Sequence, residues 1–182
     1  YTSRLYKSID GGSTWTILTN GLPNIDLSKW NMCMSKQNPN KLYVSLTDSS
    51  LQFNNAFVTT NGGASFTQIS GSGLVNPYAT QGWYFGDLTI NPTNDNDMLM
   101  GGVDIWRTSD GGNSFNMAAP NWWTYVVHGD HHDVAWINTN TFYLCTDGGL
   151  YKTTDRGNTY FHYENLPVSQ LYRVSPNPLI PN

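Results

Sequence analysis

The chain is a succession of short segments in which apolar and polar residues alternate, separated by turns rich in glycine, proline and asparagine. A period of two predicts half-buried β-strands, and no stretch follows the period of a helix. The strands fall into groups of four, predicted at 30–35, 42–47, 56–60 and 65–70; at 87–91, 98–103, 105–109 and 114–117; and at 133–138, 141–146, 150–154 and 159–163. An incomplete group, 4–9 and 14–18, precedes these, and 171–175 matches the first strand of another.

An eight-residue motif lies between the last two strands of each group. Its four copies are residues 8–15 (SIDGGSTW), 59–66 (TTNGGASF), 108–115 (TSDGGNSF) and 153–160 (TTDRGNTY). The Asp or Asn at the third position can accept hydrogen bonds from backbone amides ahead of it, which closes a turn. The glycine at the fifth position supplies the positive φ of a tight hairpin, and the aromatic begins the return strand. The motif therefore predicts a hairpin turn in each group.

The motif recurs with the period of a propeller blade. Its third position falls at residues 10, 61, 110 and 155, which gives intervals of 51, 49 and 45 residues. Repeats of this size are typical of a four-stranded blade. The sequence predicts an all-β chain that forms part of one β-propeller domain over 1–182, an incomplete propeller with about three full blades and parts of two more. The blade pieces are 1–20, 30–70, 84–118, 131–164 and 171–182. We expect the chain to belong to a longer protein.

The repeated motif resembles the Asp-box of the Asp-box (BNR repeat) β-propellers, a group that includes sialidases, xyloglucanases and sortilin-type receptors. In those families the box is structural and lies at the rim, away from the ligand face. The resemblance implies structural roles for Asp10, Gly12, Trp15, Asn61, Gly63, Phe66, Asp110, Gly112, Phe115, Asp155, Gly157 and Tyr160.

A further resemblance runs from about residue 81 to residue 173. It is carried by Gln81-Gly82-Trp83-Tyr84, Gly101-Gly102-Val103, His128-Gly129-Asp130-His131-His132, Asp147-Gly148-Gly149-Leu150-Tyr151 and Gln170-Leu171-Tyr172-Arg173. These motifs, in this order, are similar to large secreted bacterial Asp-box proteins described as glycosyl-hydrolase-like or sortilin-like. The resemblance implies a secreted or cell-surface location in a bacterium. In that subgroup an acid often follows the Trp-Tyr pair, whereas here Phe85 follows it and Asp87 comes two residues later.

Composition narrows the function classes further. Charged residues make up 12% of the chain and the net charge is −4, without a run of Lys or Arg, so the sequence shows no electrostatic footprint for nucleic acid. No apolar stretch approaches the length of a membrane span. Cys33 and Cys145 lie in predicted strands of different blades, and we expect buried free thiols.

Polar and aromatic residues gather in the crossings that lead to the inner strands. His128, Asp130 and His132 are spaced i, i+2, i+4, so an extended strand would point all three to one face. Such a set fits a polar ladder lining the channel, contact with a sugar or another ligand, or a metal site. We expect neither a metal nor a cofactor. The aromatics Trp83, Tyr84, Trp122 and Trp123 suit stacking against a ligand, or wedging between blades.

An enzyme is the alternative to a binding module. The three-arginine centre of sialidases is not visible, since of the four arginines only Arg173 falls on an inner strand. Asp87 and Asp130 are the candidate catalytic acids, with Asp133 nearby, although channel aspartates bound to backbone amides explain the same residues.

The sequence thus predicts a secreted or cell-surface module that binds glycan or protein ligands, completed by the remaining blades of a longer chain. The alternative is a glycoside hydrolase whose active site is completed by blades outside this piece. The predicted ligand-binding residues are Trp83, Tyr84, Asp87, Trp122, Trp123, His128, Asp130, His132 and Arg173.

Overall fold

A computed structural model describes residues 3–24, 29–69, 71–120, 122–124 and 126–167. It contains one two-stranded and three four-stranded antiparallel sheets, joined in chain order. The strands are β1 (Tyr6–Lys7), β2 (Thr16–Ile17), β3 (Trp30–Met34), β4 (Leu42–Thr47), β5 (Phe53–Thr59), β6 (Thr67–Ile69), β7 (Asp87–Asn91), β8 (Asn94–Gly101), β9 (Ile105–Thr108), β10 (Asn116–Met117), β11 (His131–Trp136), β12 (Phe142–Thr146), β13 (Gly149–Thr153) and β14 (Phe161–His162). A single 3₁₀ turn spans Trp122–Thr124.

The predicted β-propeller fold is confirmed. Each four-stranded sheet is a meander, β3-β4-β5-β6, β7-β8-β9-β10 and β11-β12-β13-β14, and we call these sheets blades 2, 3 and 4; β1 and β2 form the described part of blade 1. The strands agree with the predicted ones to within a few residues, with β8, β5 and β11 beginning four, three and two residues earlier than expected. The predicted strand 171–175 lies outside the described residues. No helix in the described ranges is long and apolar enough to cross a lipid bilayer.

The core lies between the blades. Each of three clusters of buried residues joins neighbouring blades: Leu5 with Val44 and Phe57, Tyr43 and Ile69 with Met98 and Phe115, and Leu99 and Ile105 with Val134 and Phe142. Successive side chains of a strand point to opposite faces of its sheet, and β4 and β8 bury the consecutive residues 43–47 and 97–101. Both faces of these blades therefore pack against a neighbour. This packing brings the inner strands β3, β7 and β11 side by side.

The four copies of the motif form one repeated turn, which joins the last two strands of each blade. In residues 108–115 the Thr108 hydroxyl donates to Asp110 Oδ1 (2.8 Å) and accepts from the Gly112 amide (2.8 Å). The Asp110 carboxylate also accepts from the amide of Ser114 (3.0 Å) and from its hydroxyl (2.6 Å). The same bonds recur around Asp10 and Asp155. The carboxylate therefore closes the turn, as the sequence predicts.

In the copy at 59–66 an amide replaces the carboxylate without loss of the turn. Asn61 Oδ1 accepts from the Thr59 hydroxyl (2.8 Å) and the Ser65 amide (3.0 Å), as the aspartates do. Its amide group then donates to the Ser65 hydroxyl (2.9 Å), which acts as acceptor instead of donor. The turn therefore depends on the acceptor oxygen at the third position. The hydroxyl at the seventh position donates to a carboxylate oxygen or accepts from an amide nitrogen, whichever is present.

In three of the four repeated turns the final aromatic residue packs against the preceding blade, whereas Trp15 of the first turn is exposed. Phe66 and Phe115 are buried, and their backbone amides donate to the carbonyls of Asn20 (2.9 Å) and Ser72 (2.8 Å), in the segments that leave the outermost strands β2 and β6. The Tyr160 hydroxyl donates to the Ala118 carbonyl (2.6 Å) beyond β10. The turns therefore also fix each blade to its neighbour.

We expect Gly112→Val to destabilise the protein by about 2 kcal/mol or more, because Gly112 has φ +99° and an added Cβ would lie 2.3 Å from Ile69 Cγ2. Asn113→Val, at the next and exposed position, is the matched control and is expected to cost much less. Urea denaturation of both variants measures the difference. Equal midpoints would show that the turn does not depend on this glycine.

Candidate functional site

A cleft of about 360 Å³ opens where the inner strands of blades 2, 3 and 4 begin. Its walls come from all three blades, and they combine polar with aromatic side chains. The lining residues are Lys29, Asn31, Tyr84, Phe85, Gly86, Asp87, His131 and His132. Of the predicted ligand-binding residues, the structure places Tyr84, Asp87 and His132 in the cleft.

The aromatic side of the cleft is largely open to solvent. Tyr84 is exposed and its ring centroid lies 5.3 Å from that of Trp83, which is 61% exposed. Tyr84 also contacts the His132 ring edge-on at 5.4 Å, and His132 in turn lies 5.9 Å from the buried Phe85. Trp83 and Tyr84 therefore present aromatic faces beside the polar part of the cleft and do not wedge between blades.

Asp87, the first residue of β7, has a buried carboxyl group with a raised pKa. Its Oδ2 atom is buried and has no hydrogen-bond partner among the described residues. Burial, together with the charge of Asp133 on the neighbouring strand β11, raises the pKa of Asp87 to about 7, although the amides of Val134 and Leu88 act in the opposite direction. Near neutral pH this group can therefore exchange its proton.

His131 is the second buried polar side chain of the cleft, and the sequence analysis did not identify it. It is 3% exposed, and its Nδ1 atom also lacks a partner among the described residues. Burial, with smaller contributions from His132 and His128, lowers the pKa of His131 to about 4, so the imidazole is uncharged at neutral pH. A Cβ placed on Gly101 would lie 3.4 Å from the Cβ of His131 and 3.5 Å from that of Asp87. The two side chains therefore flank the same point.

The predicted alignment of His128, Asp130 and His132 on one face of an extended strand is wrong. Asp130 has φ +60°, in the left-handed region, and β11 begins only at His131. A register shift between His131 and Asp133 then changes which side chains face the cleft. His128 is exposed outside the strand, with its ring Nδ1 3.0 Å from the carbonyl oxygen of Gly129.

His128, Asp130 and His132 do not share one partner, although their charges influence one another. His132 Nε2 lies 2.6 Å from Asp147 Oδ1, a contact that the sequence analysis did not predict. Burial and the charge of Asp147 raise the pKa of Asp130, while His128 and His132 lower it. Among the described residues, no three His, Cys, Asp or Glu side chains lie close enough together to hold a metal ion.

Lys29 connects two blades at the cleft. Its Nζ donates to the carbonyl oxygens of Tyr84 and Phe85, both at 2.9 Å, and burial lowers its pKa. Lys29 and Asn31 stand at the start of the inner strand of blade 2, the place that Asp87 occupies in blade 3. Comparison of these equivalent positions along the repeat could have identified both residues from the sequence.

The remaining predicted ligand residues are only partly described. Trp123 is exposed on the 3₁₀ turn, whereas for Trp122 the structure describes the backbone alone. Arg173 lies outside the described residues. Cys33 is half-buried and Cys145 is exposed, so the expectation that both thiols are buried is wrong, although both are free.

No protein-family model matches this chain, and no curated protein matches it. Among solved structures, it is similar to the GH74 xyloglucanase of Xanthomonas campestris, with TM-score 0.60, 18% identity, and 84% of this chain and 26% of that chain covered. The GH74 enzyme of Niastella koreensis gives TM-score 0.57 and 18% identity over 74% of this chain and 22% of that chain. YCF48 of Cyanidioschyzon merolae gives TM-score 0.52 and 14% identity, over 79% and 42%.

The chain therefore spans about a quarter of the length of these GH74 enzymes. At such identities the similarity establishes the fold, a β-propeller, and it assigns no residue of the cleft.

The raised pKa of Asp87 predicts a pH-dependent stability. Between its ordinary pKa of 3.8 and about 7, the folded protein holds a proton that the unfolded chain releases, so the Asp87 contribution to stability falls as pH rises through this window. His131, with its pKa lowered, contributes in the opposite direction between about 4 and 6.5. Comparing wild type with Asp87→Asn isolates the aspartate.

The free energy of unfolding of wild type minus that of Asp87→Asn should fall by about 2 kcal/mol from pH 4 to pH 7, because only wild type loses the Asp87 contribution. Urea denaturation at the two pH values measures it. Parallel pH profiles for the two proteins would contradict a raised pKa at Asp87.

Proposed function

We propose that this chain is part of a β-propeller module that binds carbohydrate at the cleft between the inner strands β3, β7 and β11. One observation carries the proposal: Asp87 and His131 line a cleft beside exposed aromatic faces, and each has a buried polar atom, Oδ2 and Nδ1, without a hydrogen-bond partner among the described residues.

A sugar hydroxyl suits these two atoms because it donates and accepts at once. At neutral pH the His131 ring is uncharged, and the Asp87 carboxyl is close to its midpoint, so that it can donate or accept. A buried polar group without a partner costs about 1 to 3 kcal/mol, which a ligand hydroxyl or a water molecule recovers. A ligand that replaces such a water with its own hydroxyl keeps these hydrogen bonds.

The aromatic side of the cleft supports the same class of ligand. Trp83 and Tyr84 offer apolar faces that match the apolar faces of a sugar ring. Lys29 and His132 line the same cleft as Tyr84 and Asp87 and offer polar groups to a ligand. We include Trp122, Trp123, His128, Asp130 and Arg173 in the same ligand face as an extension of this proposal. The sequence predicts each of them in a crossing or in an inner strand.

The proposal includes the setting of the module. We assign the repeated turns to the Asp-box type, supported by the bond that each makes from a hydroxyl to the side-chain oxygen of an aspartate or asparagine. Resemblance to large secreted bacterial proteins supports a secreted or cell-surface location. It also supports a single propeller domain, with the blade pieces given above, that continues in a longer protein.

We expect Trp83→Ala to weaken binding to a glycan array at least several-fold while leaving the melting temperature nearly unchanged, since Trp83 is exposed. Trp15→Ala is the matched control, because Trp15 is 62% exposed but lies in the first repeated turn, away from the cleft. Equal retention of both variants, or a wild-type protein that retains no glycan, would overturn carbohydrate binding. Retention of a protein ligand alone would favour a protein-binding module.

A second candidate function is glycoside hydrolysis, and a specific observation favours it. Asp87 has a pKa of about 7, and a second carboxyl group, that of Asp133, lies near enough to contribute to the shift. Glycosidases use two carboxyl groups held in different protonation states, one as acid and one as base or nucleophile. Because similar structures include xyloglucanases, xyloglucan is a sensible first substrate.

If the protein is a hydrolase, Asp87→Asn should lower the release of reducing sugar by a factor of about 100 or more while glycan retention survives. The measurement compares reducing ends released from xyloglucan and other polysaccharides by wild type and variant. Turnover that is unchanged by Asp87→Asn would exclude this residue as the acid.

A further inference from the structure

A second pocket, of about 200 Å³, lies on the rim between blades 3 and 4 and is distinct from the cleft. Arg107 enters it from β9, and Arg156 enters it from the fourth repeated turn. The other polar side chains that line it are neutral, those of Ser109, Asn116 and Asn158. No carboxylate lines this pocket among the described residues.

The two guanidinium groups share a single buried carboxylate. Asp97 on β8 has a fully buried side chain, and it accepts from Arg107 Nε (2.7 Å) and Nη2 (2.9 Å) in a two-point contact. Arg156 Nη2 (2.5 Å) and Asn91 Nδ2 (3.1 Å) also donate hydrogen bonds to the Asp97 carboxylate. Arg107 and Asp97 alone would already form a neutral, bidentate pair. Arg156 therefore leaves the cluster with one positive charge that no group lining the pocket neutralises.

Arg156 occupies a position where the repeat otherwise has glycine. Its φ is +64°, and the equivalent residues of the other three turns are Gly11, Gly62 and Gly111. A left-handed backbone is strained for a residue larger than glycine, so the local backbone conformation disfavours an arginine at this position. What this copy gains is a second guanidinium group at the pocket.

The guanidinium of Arg156 also keeps unused donors. It makes one hydrogen bond among the described residues, to Asp97, and its Nε atom is buried without an acceptor. Its side chain is 35% exposed, so a ligand can reach the group. Arg107 Nη1 donates to the backbone carbonyl of Arg156 (3.2 Å), and this bond keeps the two arginines next to each other.

Among the described residues, the carboxylates of the neighbouring repeated turns form no ion pair with Arg107 or Arg156. Asp110 and Asp155 each accept from the hydroxyl and amide groups of their own turn, and these bonds lower the pKa of both. Neither side chain lines the pocket.

We propose that this pocket binds a small oxyanion, a carboxylate, sulfate or phosphate group, through Arg156 and Arg107. Guanidinium groups present paired donors that match the oxygens of such anions, and the amide and hydroxyl groups around them can donate further bonds. The site does not depend on carbohydrate binding at the cleft, since it lies on the rim and shares no residue with it.

Isothermal titration calorimetry of the full chain with sodium sulfate, phosphate or acetate, against chloride at equal ionic strength, tests the site. We expect binding of at least one of the three, with affinity reduced about tenfold or more in Arg156→Gly, the equivalent of losing a charge-assisted hydrogen bond. Sulfate or phosphate alone would indicate a tetrahedral anion, and acetate alone would indicate a carboxylate; either supports the proposal.

Arg156→Gly restores the residue of the other three turns and should keep the fold; Arg156→Gln tests the same charge if it does not. Lys36→Ala removes one charge from an exposed position elsewhere and should bind as wild type does. Absence of binding to wild type, or equal binding by Arg156→Gly, would show that Arg156 serves only the ion pair with Asp97. Sulfate also stabilises proteins without binding a site, so the comparison rests on titration heats and not on melting temperature.

Discussion

The hydrogen bonds that close the repeated turn are the constraint on which the rest of this structure depends. In each copy one hydroxyl and one carboxylate or amide oxygen satisfy the turn amides. In three copies the hydroxyl belongs to a buried threonine, Thr59, Thr108 or Thr153. The turn fixes the hairpin of the two outer strands, and its aromatic residue packs against the preceding blade, where Phe66 and Phe115 are buried. Gly21 and Gly73 lie against the backbone oxygens of these same two residues, so closely that a Cβ would not fit. A local turn therefore sets how one blade lies on the next.

The position of the blades then determines the cleft. Because the outer strands are fixed at the rim, the inner strands β3, β7 and β11 start side by side, and Lys29 reaches across to the carbonyls of Tyr84 and Phe85. Polar residues at the start of an inner strand have neighbours from the adjacent blades and little access to water. This is why Asp87 is affected by Asp133, a residue far away in sequence. The rim fixes the positions of the blades, and the inner edge buries polar residues such as Asp87 close to charged residues of the next blade.

These two parts of the molecule differ in how far the sequence predicts them. The turns and the four-strand groups are predictable, since Thr108, Asp110, Gly112 and Ser114 interact within a few residues of one another. Tyr84 and Asp87 could be placed at the cleft from the repeat alone. His131 could not, because the register shift beside it and the left-handed Asp130 break the alternation on which the prediction depended. The contact of His132 with Asp147 joins a residue of β11 to one in the turn between β12 and β13, and neither residue type signals it.

The same residue type performs opposite tasks in the two places, and the difference lies in how completely its hydrogen bonds are satisfied. Asp10 and Asp155 in the turns receive bonds from hydroxyl and amide donors, which lower their pKa to about 2 and keep them ionised. Asp87 has a buried oxygen with no hydrogen-bond partner in the described part of the chain, and its pKa is raised. A satisfied carboxylate stabilises the fold and has nothing left to offer a ligand. An unsatisfied one costs stability, and a protein tolerates that cost where a ligand or a proton completes the site. This reasoning supports the proposal that a ligand binds at the inner strands, while the most regular feature of the sequence forms the framework.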